Sequence, residues 1–291
     1  MTRRVGVVGG GIMGSGIAEV SARAGFDVIV REVDDAAAER AQALLARSLG
    51  RAVRAGKFTD ADSDAVRARL SFTTELGDLA DRDVVVEAVV EDETEKSAVF
   101  TALGGIVSPD CLLTSNTSSI PIMKLASVTT HPERVIGLHF FNPAPVLPLV
   151  EVVPSLLTSP DTVRRAEEFA EQGLGKQTVL CKDRAGFVVN ALLIPFLLAA
   201  IRMVESGFAS PEDVDTAMVA GCAHPMGPLA LADLIGLDTT HAVASSMYAE
   251  FKEPLFAAPP LLLRMVEAGL LGRKSGRGFF EYAAPPGRAI A

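Results

Sequence analysis

A short apolar run at residues 5–8 passes directly into Gly9-Gly10-Gly11-Ile12-Met13-Gly14, which opens an amphipathic stretch at 12–24. This junction limits the fold more than any other feature of the chain. The spacing G-x-G-x-x-G suits a strand that turns sharply into a helix. Gly9 permits the tight turn, Gly11 lets a pyrophosphate approach the backbone, and Gly14 allows the helix to pack closely on the strand. Helix N-terminal amides, beginning at Ile12 and Met13, then face the phosphates. In a chain with 25 glycines the pattern alone is weak, and an ordinary glycine-rich turn is the plain alternative. Its position between strand and helix gives it weight.

Further strand-like runs lie at 28–30, 84–88, 112–114, 135–139, 149–153 and 177–180, with helical stretches between them. The run Asp83-Val84-Val85-Val86-Glu87-Ala88-Val89-Val90 is nearly continuous in apolar residues, as strands buried on both faces require. Alternation of strands and helices predicts βαβ units and a Rossmann-type doubly wound α/β sheet. From about Ala185 the character changes. Helical stretches at 191–204, 211–219 and 261–268, punctuated by glycine and proline, replace the strands. The expected organisation is a nucleotide-binding domain at 1–184 and a smaller all-helical domain at 185–291. The second is rich in apolar residues for its size, which suggests a face buried in a homodimer.

A net charge of −9 argues against nucleic acid or an anionic membrane as partner, because both repel an acidic protein. An anionic substrate therefore needs a local patch of opposite sign. Arg47, Arg51 and Arg54 provide one, since i, i+4, i+7 spacing puts them on one helix face, and Lys57 follows Gly56. A solvated helix face is the competing reading. Three cysteines without a CxxC pair point to free thiols in a reducing compartment, with no metal site. The apolar run at 186–201 contains Asn190 and Pro195 and is short for a bilayer span. No apolar leader precedes the first strand, so the expected location is the cytoplasm.

Glu32 ends the second strand about twenty residues beyond the glycine motif, where an acid accepts hydrogen bonds from the adenosine ribose. That carboxylate repels a 2′-phosphate and predicts NAD, while the adjacent Arg31 keeps NADP open. Of the four histidines, His131, His224 and His241 suit surface or packing roles. His139 closes a strand, and ligands of open α/β sheets bind beyond the carboxyl ends of strands. A base and a core histidine are equal readings of it. Glu151 stands inside the apolar run Leu149-Val150-Glu151-Val152-Val153, where a carboxylate is expensive unless paired. If the proline-rich segment 143–148 turns the chain back on itself, Glu151 reaches His139 and orients it. Ser115-Asn116-Thr117-Ser118-Ser119 forms either a helix cap or a polar ligand-facing loop. Asn190, in an apolar stretch, is expected to be a buried amide needing partners, from the fold or from a substrate.

Together these segments resemble the L-3-hydroxyacyl-CoA dehydrogenase family, over residues 9–282. The carriers are the glycine motif with Ser15-Gly16-Ile17-Ala18, Val86-Glu87-Ala88-Val89-Val90-Glu91, and Ser115–Ser119. His139-Phe140-Phe141-Asn142-Pro143, Val150-Glu151-Val152-Val153, Gly186-Phe187-Val188-Val189-Asn190, His224-Pro225-Met226-Gly227-Pro228 and Gly272-Arg273-Lys274-Ser275-Gly276-Arg277-Gly278-Phe279 follow. The resemblance implies an NAD-dependent enzyme in which His139 is the general base and Glu151 its partner. It implies that Ser118 and Asn190 contact substrate oxygens and that Asn142 lies near both substrate and cofactor. Glu91, Lys96 and Lys274 would lie at the cofactor, Ser48 and Lys57 at coenzyme A, and the helical domain would join two subunits. Many relatives carry Asp where this chain has Glu32.

Overall fold

The computed structural model describes residues 4–282. The outer ends of the two expected domains, 1–3 and 283–291, lie outside the described residues. The chain divides into two compact units, one reaching Phe187 and the other beginning at Val188.

The first unit runs β1 (Arg4–Val8), α1 (Ile12–Arg23), β2 (Asp27–Arg31), α2 (Asp35–Arg54), α3 (Asp60–Arg67), β3 (Leu70–Thr73) and β4 (Val84–Glu87). It continues with α4 (Glu93–Ile106), β5 (Leu112–Ser115), α5 (Ile122–Ser127), β6 (Val135–Phe140), β7 (Leu149–Pro154), α6 (Pro160–Glu168) and β8 (Gln177–Leu180). Among the described residues eight strands form one sheet, in the order β3-β2-β1-β4-β5-β6-β7-β8. Strands β1 to β6 run parallel, and β7 and β8 run opposite to them. This is the doubly wound arrangement expected from the sequence. Chain order reverses between β1 and β4, the point where such sheets bind ligands outside their carboxyl ends.

Strand β4 is buried along its whole length. One apolar cluster, including Val5, Val7, Val28, Val30, Ile136 and Leu138, fills one face of the sheet. A second, including Val85, Phe100, Leu103, Leu113 and Leu125, fills the other. Strand β3 is not among the runs expected from the sequence. Its four residues are only partly buried at the sheet edge, so they lack the apolar run that marks the inner strands. Helix α2 begins at Asp35 because Asp34 caps it, its side chain accepting from the Ala37 amide at 2.7 Å.

The second unit contains α7 (Val189–Glu205), α8 (Pro211–Cys222), α9 (Pro228–Ile235), α10 (Leu237–Phe251) and α11 (Pro260–Glu267). Apart from isolated bridges at Gly272, Arg277 and Glu281, it has no strand pairing among the described residues. No described helix is long and apolar enough to cross a membrane.

A buried carboxylate organises the end of this unit. Asp233, fully buried on α9, accepts hydrogen bonds from the Phe279 and Phe280 amides at 3.1 and 3.0 Å and from the Tyr282 hydroxyl at 3.0 Å. Burial and the neighbouring carboxylate push the Tyr282 hydroxyl up to about 12, so it stays a donor. A Cβ at Gly278 would overlap the Asp233 side chain, which accounts for the glycine spacing of this segment. Asp233→Ala strands three donors and is expected to cost about 3 kcal/mol. Its urea midpoint should fall measurably, and an unchanged midpoint would contradict the clamp.

Candidate active site

The strand pairing decides the central geometry. Strands β6 and β7 are antiparallel, with His139 directly opposite Glu151. His139 Nδ1 stands 2.7 Å from Glu151 Oε2, and both residues are buried. A carboxylate accepts only, so Nδ1 carries the hydrogen and Nε2 is the basic nitrogen. Phe141 packs edge-on to the imidazole at 4.6 Å and Phe187 lies tilted at 5.4 Å, both between ring centroids. Phe187 reaches this position with a left-handed backbone, φ +45°, a conformation that disfavours a bulky residue.

At the switch point the glycine turn follows β1. Gly9 has φ +93°, which glycine alone adopts without cost. A Cβ at Gly14 would overlap the Gly9 carbonyl, whereas one at Gly11 would meet no protein atom within 4 Å. Packing of the chain therefore demands glycine at 14 but not at 11. No side chain caps α1, so its first amides, at Ile12 and Met13, remain available to an anion. Glu32 reaches across from β2: Oε1 accepts from the Gly10 amide at 2.5 Å and Oε2 from the Val33 amide at 3.2 Å. Arg31 turns elsewhere, its Nε donating to the Thr74 carbonyl at 3.0 Å. An open glycine, uncapped amides and an acid at the end of β2 fit an unphosphorylated adenosine ribose and a pyrophosphate.

The carboxyl ends of β4 and β5 are tied by a buried network. Lys96 donates to Glu87 at 2.7 Å and lies 3.3 Å from Glu91, and Ser115 donates to the other Glu87 oxygen at 2.6 Å. One oxygen of Glu91 collects the Thr117 hydroxyl at 2.7 Å and the Ser118 amide at 2.8 Å. It also accepts from the hydroxyls of Ser118 and Ser119, at 3.2 and 2.9 Å, and from the Ser119 amide at 3.1 Å. Partial burial raises the Glu91 carboxyl, but the Lys96 charge and these donors outweigh it and hold it below its ordinary range. The serine-rich loop is thus shaped by Glu91. Asn116 adds a tie, accepting from the Phe140 amide beside His139 at 2.9 Å. Asn142 is exposed and opens the segment after β6.

Ser48 is half-buried on α2, and Arg47, Arg51, Arg54 and Lys57 are exposed. None of these four cations has an ion-pair partner among the described residues. In the second unit, Asn190 stands in the first turn of α7. Where a buried amide is expected, it is half-buried, and its side chain makes no hydrogen bond among the described residues. Lys274 pairs with Asp238 at 2.5 Å. The other histidines hold local contacts: His131 with Glu133, His241 with Ser245, and His224 against Phe196.

Glu87 is not among the site residues expected from the sequence, yet it carries a sequence signal: a carboxylate within an apolar run needs a partner. That same reasoning singled out Glu151. Asn116 and Phe187 were noted only as members of their segments. No local pattern reveals that a loop amide ties two strands or that a ring folds back on an imidazole.

Residues 4–184 match the family model for the NAD binding domain of 3-hydroxyacyl-CoA dehydrogenase, and residues 186–282 match its C-terminal domain. The chain is 61% identical over 281 residues to the 3-hydroxybutyryl-CoA dehydrogenase of Mycobacterium tuberculosis, covering 96% of this chain and 98% of that one. Its fold superposes on the crystal structure of M. tuberculosis FadB2 with a TM-score of 0.96 and 61% identity, over 97% of this chain and 99% of that one. For (S)-3-hydroxybutyryl-CoA dehydrogenase PaaH1 of Ralstonia eutropha the TM-score is 0.91 at 44% identity, over 97% and 100%. With both family models matched and the doubly wound sheet carrying an NAD-type turn, the chain belongs to the 3-hydroxyacyl-CoA dehydrogenase family.

Proposed function

We propose that this chain interconverts a 3-hydroxyacyl-CoA and its 3-oxoacyl-CoA, with 3-hydroxybutyryl-CoA and acetoacetyl-CoA as the preferred pair. The observation that carries the reading is the buried His139–Glu151 pair at the carboxyl end of β6. A bound NAD would supply the hydride acceptor for the substrate C3 and, in its reduced form, the hydride donor for the reverse reaction. His139 Nε2 takes the hydroxyl proton during oxidation and restores it during reduction, a role that supplies about 10²–10⁴-fold. Glu151 fixes the ring's tautomer and stabilises the charge it acquires.

Gly9, Gly11, Ile12, Met13 and Gly14 form the pyrophosphate turn, and Glu32 receives the ribose. Glu91 holds Ser118 toward the reacting oxygen, and Lys96 keeps Glu91 ionised. Asn142 contributes near substrate and nicotinamide, and Lys274 contributes to the cofactor side. Asn190, whose side chain makes no hydrogen bond among the described residues, supplies its amide to the substrate. Ser48 and Lys57, with the exposed arginine face of α2, receive the phosphates of coenzyme A.

The unit reaching Phe187 serves as the NAD-binding domain and the helical unit as the substrate and dimerisation domain. Leu192 and Phe208 of the helical unit are 73% and 76% exposed, which favours a homodimer through that unit. Three free cysteines suit the cytoplasm.

The test compares acetoacetyl-CoA with free acetoacetate in NADH oxidation. The thioester should be favoured by about 100-fold in kcat/KM, because only it engages the basic face. Equal efficiency would favour a dehydrogenase of free hydroxy acids. Lys57→Ala should raise the KM for acetoacetyl-CoA about three- to tenfold with kcat nearly kept. A lowered kcat at unchanged KM would remove Lys57 from coenzyme A binding.

A further inference from the structure

Lys176 stands between α6 and β8 and is only 9% exposed. Among the described residues it has no carboxylate partner. Its ammonium instead donates to the main-chain carbonyls of Ala144 and Leu147, at 2.6 and 2.8 Å. Both belong to the proline-rich segment that begins at Asn142 and connects the strand of His139 to that of Glu151. The Val146 and Leu147 amides both bond to the Pro143 carbonyl, at 2.9 and 3.0 Å, so the segment is a compact turn. Lys176 closes it from beneath, and the neighbouring Gln177 amide adds a bond to the Pro148 carbonyl at 2.8 Å.

The turn also rests on the nucleotide motif. Ala144 is 2% exposed. A Cβ on Gly16 of α1 would stand 3.2 Å from the Ala144 Cβ and 3.3 Å from the Pro145 Cδ. The close seat accounts for Gly16, which the G-x-G-x-x-G spacing leaves unexplained. A buried cation without a counter-charge is expensive, and burial lowers this lysine's affinity for its proton. The fold nevertheless retains it where two carbonyls of this one turn converge.

We propose that Lys176 is a positioning residue: by clamping the 142–148 turn against α1, it sets the place of Asn142 relative to the dinucleotide turn and so governs NADH affinity. The inference rests on the proposed NAD site and adds to it a residue that touches neither cofactor nor substrate. The His139–Glu151 pair, fixed by the strand ladder, does not depend on it.

Lys176→Met keeps the apolar stem and removes both donors. NADH binding by fluorescence titration should weaken about tenfold, and the NADH KM should rise in step. At saturating substrates kcat should stay within about twofold, and the pH profile of kcat should be unchanged. Lys176→Gln, read in the same way, serves if the methionine variant does not fold. Unchanged NADH affinity overturns the proposal, as does a fall in kcat without a change in affinity. Failure of both variants to fold also overturns it, since the lysine then serves sheet stability alone. Failure of the wild-type protein to bind NADH would instead overturn the proposed function itself.

Discussion

His139→Gln is expected to bind NADH as the wild type does while kcat falls about 10²–10⁴-fold, the range a general base supplies. Glutamine cannot take up the alcohol proton, yet its amide can still donate to the buried Glu151 that Nδ1 now satisfies. The carboxylate is therefore not left unpaired, and the loss reports chemistry rather than unfolding. Fluorescence titration with NADH and steady-state turnover of acetoacetyl-CoA separate the two effects. A variant turning over at the wild-type rate would remove His139 as the base.

The second large effect divides two glycines that the motif treats alike. Gly11→Ala should keep the melting temperature and lose NADH affinity by about 100-fold or more, because its new methyl meets no protein atom and instead occupies the path of the pyrophosphate. Gly14→Ala should lose both. Its methyl overlaps the Gly9 carbonyl, so the turn itself must shift, at a cost typical of overpacking, about 1–3 kcal/mol or more. Thermal unfolding and NADH titration of both variants check the contrast. Equal affinity loss with equal destabilisation would mean that Gly11 also serves packing.

Much of this site could be read along the chain because its parts obey local rules. The glycine turn needs its neighbours on both sides, and Glu32 follows at the distance set by one helix and one strand. Glu151 was conspicuous because a carboxylate in an apolar strand demands a partner. What the chain could not reveal is which partners meet across elements. Glu91 gathers a loop that lies 26 to 28 residues away, and Lys176 bonds carbonyls some 30 residues earlier. Neither pairing has a periodic signature. Strand β3 escaped for another reason: half-exposed at the edge, it has no buried run, and its Leu-Ser-Phe-Thr alternation spans only four residues, the shortest length at which that signal is read. Asn190 was read as buried because apolar residues surround it in sequence, although one face of the first turn of α7 is accessible.

The dyad itself is tested most directly by a double-mutant cycle of His139→Gln, Glu151→Gln and the combined variant, read as kcat for acetoacetyl-CoA reduction. Residues that act as one unit lose no more together than the more damaging substitution does alone. The combined variant should therefore turn over within about threefold of His139→Gln. Two losses that multiply would show the imidazole and the carboxylate working independently, and would contradict proton transfer through Nε2 of a ring that Glu151 braces at Nδ1.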